Sequence, residues 1–507
     1  MNIASYRAPA LLSRIRHRLP SQSLSYSASS FVCRQSRHSF NRIQPFASAT
    51  PEPKSSQSRE APPSSSSSST SEIKGGSTSS STWETPSRAS TSSNESLPPG
   101  WEDEPDWNIT KFDQLPHRTF GFNQHMIINE EFKESLRQIL WQFRAPIRYA
   151  FAYGSGVFPQ SNGDVKPESL SPHPHPPEAI KTWQRGGGKI IDFIFGVSFT
   201  EHWHSLNLHQ HRDHYSALGS LGSGPVTKVQ ENWGAGVYFN PYITVNGTMI
   251  KYGVVNLKTL QRDLSDWDTL YLAGRLQKPV KILRDDPKVR LANQINLISA
   301  VRTALLMLPE KFTEKELYNE IASISYTGDP RIRFRSENPN KVSNIVTHQL
   351  PNFRLLYNPL IEDLPNVSLN DPRCYQQGWE QDSESDCMLE QDMDPVKRGN
   401  MVRRLPRAFR EKLYFLYQGK FAIPGNQFNE MLEQAQDEDK EGFRRREGTE
   451  FDRRIAGEPD LREMVRKAIQ QTVEWPSTSQ SVKGFITAGV GRGWRYLQEK
   501  RQKSKQA

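Results

Sequence analysis

From Glu130 onward, apolar residues recur at Phe132, Leu136, Ile139, Leu140 and Phe143, a spacing that lays one stripe along a helix, with Asn129 placed to cap it. Pro146 ends that pattern. The run from Ile147 to Tyr153 is apolar and aromatic, as a strand requires, and it delivers the chain to Gly154, Ser155 and Gly156. Ile190 to Phe195 predicts a second strand, interrupted by one acid, Asp192. Between 236 and 256, two β-rich runs flank Asn246 and Gly247, the dipeptide that turns a tight hairpin. Beyond Asp266 the period becomes helical, over 268–277, over 287–308, and from Glu314 to Ser323 behind a Thr313 cap. No internal repeat interrupts this order.

The segments without periodicity differ from one another in kind. Residues 1–50 carry seven arginines and no acid, with Leu11, Leu12, Ile15 and Leu19 at helical spacing, the composition of a mitochondrial transit peptide. Removing those seven charges from the formal +9 leaves +2, so bulk charge gives no basic track for nucleic acid. From 51 to 100 serine dominates (19 of the 42 residues between Ser55 and Ser96), too polar to offset its chain entropy by burial, and disorder is expected. Pro159 to Gly188 holds six prolines and four glycines and reads as an exposed insertion. Residues 371–394 hold eight acids and one base, and 397–412 seven bases and one acid, a switch that solvated, locally paired surface explains. Three cysteines (Cys33, Cys374, Cys387) supply neither a disulfide framework nor a CxxC zinc pair. No window of 18 apolar residues exists to cross a membrane. The C-terminus offers another route to lipid. Val482, Ile486, Val490, Trp494 and Leu497 form a stripe beside seven cations, Lys483 among them, the pattern of an interfacial helix.

Candidate chemistry begins at Gly154-Ser155-Gly156. No GK[ST] follows, so it is not a P-loop; the third glycine of a dinucleotide fingerprint and the GxSxG of a nucleophile elbow are also missing. What remains is a strand ending in Gly-Ser followed by a strand bearing a carboxylate. That is the logic of nucleotidyltransferases of the DNA polymerase beta superfamily: small residues let backbone N–H groups approach a triphosphate, and the carboxylate holds Mg²⁺ against it. Five histidines lie between His202 and His214, but HExxH is absent and no cysteine is near, so zinc is less favoured than polar contacts to phosphate and sugar. Lys251, Arg275, Lys278 and Arg331 are separate cations that together suit phosphoryl transfer.

Taken in order, Tyr153 to Gln160, Ile191 to Phe195, Trp203 to Leu208, His214 to Ser216, Gly234 to Pro241, Lys251 to Gly253, Leu270 to Pro279 and Ser325 to Arg331 are familiar. The chain resembles the mitochondrial phosphatidate cytidylyltransferase family, also named mitochondrial translocator assembly and maintenance protein, from about Phe120 to Tyr357. The resemblance implies an α/β (α+β) fold, with a nucleotidyltransferase domain over 101–265 and a helical, winged-helix-like domain over 266–370. A charged region over 371–478 and the basic amphipathic helix over 479–507 follow. It implies an enzyme that makes CDP-diacylglycerol from CTP and phosphatidate for cardiolipin synthesis, needs Mg²⁺, and sits on anionic lipids at the matrix face of the inner membrane. Carried over by position, Gly154, Ser155 and Gly156 would cradle CTP, Asp192 would bind the metal, and Lys251 would neutralise phosphate. His204, Asn207, His214 and Asn240 would add nucleotide contacts, and Arg275, Lys278 and Arg331 would face the substrate phosphate. Ile194 stands where a second strand carboxylate is usual, leaving Asp263, Asp266 and Asp329 unranked as replacements. The alternatives are a non-catalytic maintenance factor for the protein translocase and a nucleotidyltransferase with another acceptor.

Overall fold

The computed structural model describes residues 101, 108–160, 190–333, 338–434 and 447–488. The expected transit peptide, the Ser-rich segment, the body of the 159–188 insertion and the basic tail beyond Ala488 lie outside the described residues.

Helix α1 (Glu130–Trp141) starts where Asn129 accepts from Phe132 N–H at 3.0 Å, and it buries Leu136 and Ile139. Strand β1 (Tyr149–Tyr153) pairs antiparallel with β2 (Ile191–Val197), setting Tyr153 opposite Asp192. Helices α2 (Thr200–Gln210) and α3 (Ser223–Asn232) follow. The hairpin of β3 (Val237–Val245) and β4 (Thr248–Asn256) turns at Asn246 (φ 46°) and Gly247 (φ 73°), both left-handed as a two-residue turn of that hand demands. Strand β4 returns parallel to β2, with Asp192 beside Lys251. With β5 (Lys281–Arg284) the sheet runs β3-β4-β2-β1-β5.

Because side chains alternate across a strand, β2 sends Phe193 and Phe195 to one face and Asp192 and Ile194 to the other. On the first face Phe195 stacks on Tyr252 at 5.3 Å, and Trp203 of α2 packs on both. Helices α4 (Leu257–Asp266) and α5 (Ala273–Leu276) serve the second face. The helix expected over 268–277 is realised only over Ala273–Leu276. Residues 268–272 are a loop because the Asp263 carboxylate takes the N–H groups of Thr269, Leu272 and Ala273 at 2.8–3.0 Å, tying the backbone away from helical bonding.

Helix α6 (Pro287–Met307) is capped by Asp286 and buried nearly throughout. After it come β6 (Lys311–Thr313), α7 (Glu314–Ser323) behind a Thr313–Glu316 capping box, α8 (Lys341–Glu362), β7 (Val367–Ser368) and β8 (Met388–Gln391), the strands ordered β6-β8-β7. Helices α9 (Pro395–Arg403), α10 (Arg407–Phe421), α11 (Gly425–Gln434), α12 (Glu450–Ala456) and α13 (Leu461–Ala488) complete the described chain. One apolar core extends from Met126 to Val473. In the 371–412 charge switch, Arg398 and Arg410 are buried and donate to backbone carbonyls, whereas Asp392 and Lys397 pair at the surface. Surface pairing thus explains only part of it. No described helix is long and apolar enough to cross a membrane.

Candidate active site

Asp192 and Lys251 meet because β2 and β4 run parallel in a register that makes them neighbours; their side chains pair at 3.2 Å, each partly exposed. A carboxylate and an ammonium inside two otherwise apolar strands are costly unless they face each other and solvent. The Lys251 ammonium also lies 4.5 Å above the Phe239 ring. The second Asp192 oxygen faces the turn after β1: a Cβ on Gly154 would stand 3.4 Å from it, and Gly154 holds φ +81°, where side chains are strained. The Gly154 carbonyl accepts from Val157 and Phe158 N–H, so residues 154–158 curl back at the strand end. Ser155 is half-buried within that curl.

From Tyr153, register partner of Asp192, the site extends to a cluster of cations. Arg275 Nε donates to the Tyr153 hydroxyl at 3.2 Å, and its guanidinium lies 3.9 Å from the Tyr271 ring centre. Lys278, one turn on, donates to Ser325 Oγ at 2.9 Å and to the Gly274 carbonyl. Gly274 permits this approach, since a Cβ there would sit 2.1 Å from Ser325 Cβ. Burial pushes the Lys278 amine down to about 7, with the Arg275 and Lys341 charges adding to the effect. Arg331 is close enough to Arg275 to repel its charge, and it grips the Asp329 carboxylate from Nε at 3.0 Å. Lys341, which the sequence reading did not single out, lies 5.5 Å from the Tyr326 ring that Lys278 approaches at 5.0 Å. Nothing local to Lys341 sets it apart from a surface lysine at a helix start; only the fold brings it here.

The other four candidates are elsewhere. His204, Asn207, His214 and Asn240 are buried on the opposite face of the sheet, around Tyr252 and Tyr215. His204 bonds the Tyr215 hydroxyl at 2.8 Å and Gln230 Oε1 at 2.7 Å. Burial holds it down to about 4, so it is neutral at physiological pH. Asn207 donates to the hydroxyls of both Tyr215 and Tyr252 at 3.0 Å. These residues join α2 and α3 to the sheet and do not line the site at Asp192. The polar atoms of His204 and His214 and the Asn207 amide nitrogen meet other buried polar groups, whereas the Asn240 side chain has no hydrogen-bond partner among the described residues.

The offered replacements for a second metal carboxylate are also occupied. Asp263 accepts from Thr269 Oγ1 as well as from three backbone N–H groups, Asp329 is held by Arg331, and Asp266 accepts from Ser265. Among the described residues, no group of three metal-ligating side chains forms around Asp192.

The C-terminal helix departs from expectation in one respect. Lys483, counted among the lipid-facing cations, is buried and donates to the Gln230 carbonyl at 3.0 Å and to that of Trp233, which close the end of α3. Burial pushes its amine down to about 7. Gln480 bridges Ala235 N–H and the Val237 carbonyl at 3.2 and 3.0 Å. Trp475 (74% exposed), Val482 (57%) and Ile486 (45%) line the outer side of α13.

Fold and site describe a mixed α/β protein that gathers cations beside one strand-borne carboxylate, the make-up of an enzyme acting on polyanions. Its lineage is specific: the family profile described as "Phosphatidate cytidylyltransferase, mitochondrial" matches residues 136–503. The chain belongs to that family. Proteins of that name are similar to it in Xenopus laevis (37% identical over 369 residues, 72% of this chain and 92% of the relative) and in Schizosaccharomyces pombe (35% over 381 residues, 75% and 86%). The protein of that name in Saccharomyces cerevisiae is 42% identical over 268 residues, 52% of this chain and 63% of the relative.

Proposed function

We infer that this chain transfers CMP from CTP to phosphatidate, giving CDP-diacylglycerol and pyrophosphate in the mitochondrion. The observation that carries the reading is the Asp192–Lys251 pair, set between the Gly154–Gly156 turn and the cluster of Arg275, Lys278, Arg331 and Lys341. An oxygen of the phosphatidate phosphate attacks the α-phosphorus of CTP, and the bond from that phosphorus to the oxygen bridging to the β-phosphate breaks. Both reactants are anions, so the residues work by alignment and charge neutralisation; no covalent nucleophile is needed, and Ser155 serves as a phosphate contact. The turn at 154–156 would cradle the triphosphate, Lys251 would neutralise it, and the four cations would hold the phosphate of the acceptor.

A single carboxylate with one oxygen turned to the phosphate-cradling turn suits Mg²⁺, which takes one or two carboxylates and fills its shell with phosphate and water. Asp192 would hold that ion, which would supply charge neutralisation at the triphosphate. The order of α6, β6, α7, a short helix at Pro330–Arg333, α8 and the antiparallel pair β7 and β8 supports a winged-helix reading of the second domain, and the turn at the end of β1 with β2 beside it supports a nucleotidyltransferase reading of the first. The exposed Trp475, Val482 and Ile486 favour docking at the inner membrane as a peripheral protein.

Incubation of the purified full chain with labelled CTP, Mg²⁺ and phosphatidate vesicles tests the function. A lipid-soluble CDP product is expected, and label that stays water-soluble in a folded preparation overturns it.

A further inference from the structure

The histidine-rich stretch does not act as one unit. His204 is buried in the α2–α3 network, and His202 and His209 are exposed. His211 and His214 instead converge with Asp213. His211 follows α2, and a short 3-10 turn at Arg212–His214 carries the chain on, with His214 N–H bonded to the His211 carbonyl at 3.1 Å. Residues three apart eclipse on such a turn. The two imidazoles accordingly stack, 4.3 Å apart and 2° from parallel, and one ligand atom from each, with a carboxylate oxygen of Asp213, lie within 4.8 Å of one another.

The surroundings bear on which ring nitrogens can bind a cation. The Gln142 carbonyl, 3.4 Å from His211 Nε2, can only accept, so the proton of His211 sits on Nε2 and leaves a lone pair on Nδ1. His214 Nδ1 lies 2.9 Å from the Tyr252 hydroxyl, which already accepts from Asn207. In the tautomer whose Nδ1–H donates to Tyr252, the lone pair is on Nε2. Ligand imidazoles are commonly oriented by a hydrogen bond of this kind from the other ring nitrogen.

We propose that His211, Asp213 and His214 form a binding site for a divalent transition metal of the zinc type, separate from the carboxylate site at Asp192. Two imidazoles and one carboxylate suit zinc and disfavour Mg²⁺, whereas the carboxylate oxygens of Asp192 suit Mg²⁺. With bonds of about 2.0–2.1 Å, tetrahedral ligand atoms stand roughly 3.4 Å apart. Closing the cluster takes rotation of the two members that are not buried, Asp213 and His211, whose ring must leave the stack because lone pairs in parallel ring planes do not converge. The metal would tie the end of α2 to the following turn. Through Tyr252 it would steady β4, on the reverse of the strand whose Lys251 faces Asp192.

The test uses the full chain, stripped with a chelator and kept in excess Mg²⁺ so that the site at Asp192 is filled. It is titrated with Zn²⁺ against a chromophoric chelator. One equivalent of Zn²⁺ is expected to bind the wild type and to raise its melting temperature. His211→Ala is expected to lose that equivalent, and Asp213→Asn to weaken it by about tenfold or more. Both residues are at or near the surface, so both variants keep the zinc-free melting temperature. Equal stoichiometry and affinity in the wild type and the His211→Ala/Asp213→Asn double variant would overturn the proposal, as would no Zn²⁺ binding by the wild type.

Discussion

Asp192 could be read from the sequence because a lone acid inside an apolar strand is costly and has few structural excuses. Lys251 stood out less, and only the parallel register of β4 against β2 shows it to be the acid's partner. Asp192→Asn keeps the shape and removes the charge. It is expected to lower turnover at least about a hundredfold, roughly 2.7 kcal/mol of transition-state stabilisation, while the variant stays folded. A Mg²⁺ titration in which the variant keeps most of its activity would refute the role. The buried polar group around Tyr252 lies across the sheet from Asp192, which local sequence does not reveal, because histidine and asparagine bond a tyrosine as readily as a nucleotide. His204→Ala leaves Gln230 and Tyr215 short of a partner in the interior. A loss of about 2–4 kcal/mol of stability is expected, with CTP affinity per folded molecule unchanged. Calorimetry beside equilibrium dialysis reads both, and a large fall in CTP affinity would return His204 to the site.

Among the elements, those defined by a local signal were legible: α1 by its stripe and cap, the β3–β4 hairpin by Asn246-Gly247, α7 by Thr313 and Glu316. The short strands β5 to β8 were not, since two to four residues carry no period and owe their state to tertiary pairing. Helix α13 shows the same limit, because its cations look alike in sequence but Lys483 is buried. Its amine is held near 7 in the folded chain, against about 10.4 when free. Between those values the unfolded chain binds the proton and the folded chain does not, so stability rises with pH across that window. Melting temperatures from pH 7 to 9 are expected to climb more steeply for the wild type than for Lys483→Met. The variant retains the smaller rise due to Lys278 and Lys281, whose amines burial also lowers. Parallel curves would mean that Lys483 is charged in place.

Across the whole molecule, the burial of Gln480 and Lys483 relocates the boundary between fold and tail. A cut after Pro476 would remove packing as well as any lipid contact, so it cannot isolate membrane binding. A cut after Ala488 keeps every described contact. That truncated chain is expected to melt within about 2 °C of the full chain and to bind CTP, but to float with cardiolipin-containing vesicles several-fold less, in a salt-dependent way. Undiminished flotation would leave the exposed Trp475, Val482 and Ile486 as a sufficient contact.

The bridge from Gln480 to Val237 spans 243 residues of chain and lies against β3, an outermost strand of the sheet. A nascent or translocating polypeptide emerges N-terminus first, so β3 and β4 can zip together long before their cover exists. Until α13 arrives, that strand offers unpaired backbone to any other extended chain, the situation in which sheets join edge to edge. Completion of the fold therefore waits on a segment that follows the strand it covers by 243 residues. Premature termination anywhere before about residue 480 should yield aggregates rather than a smaller working enzyme.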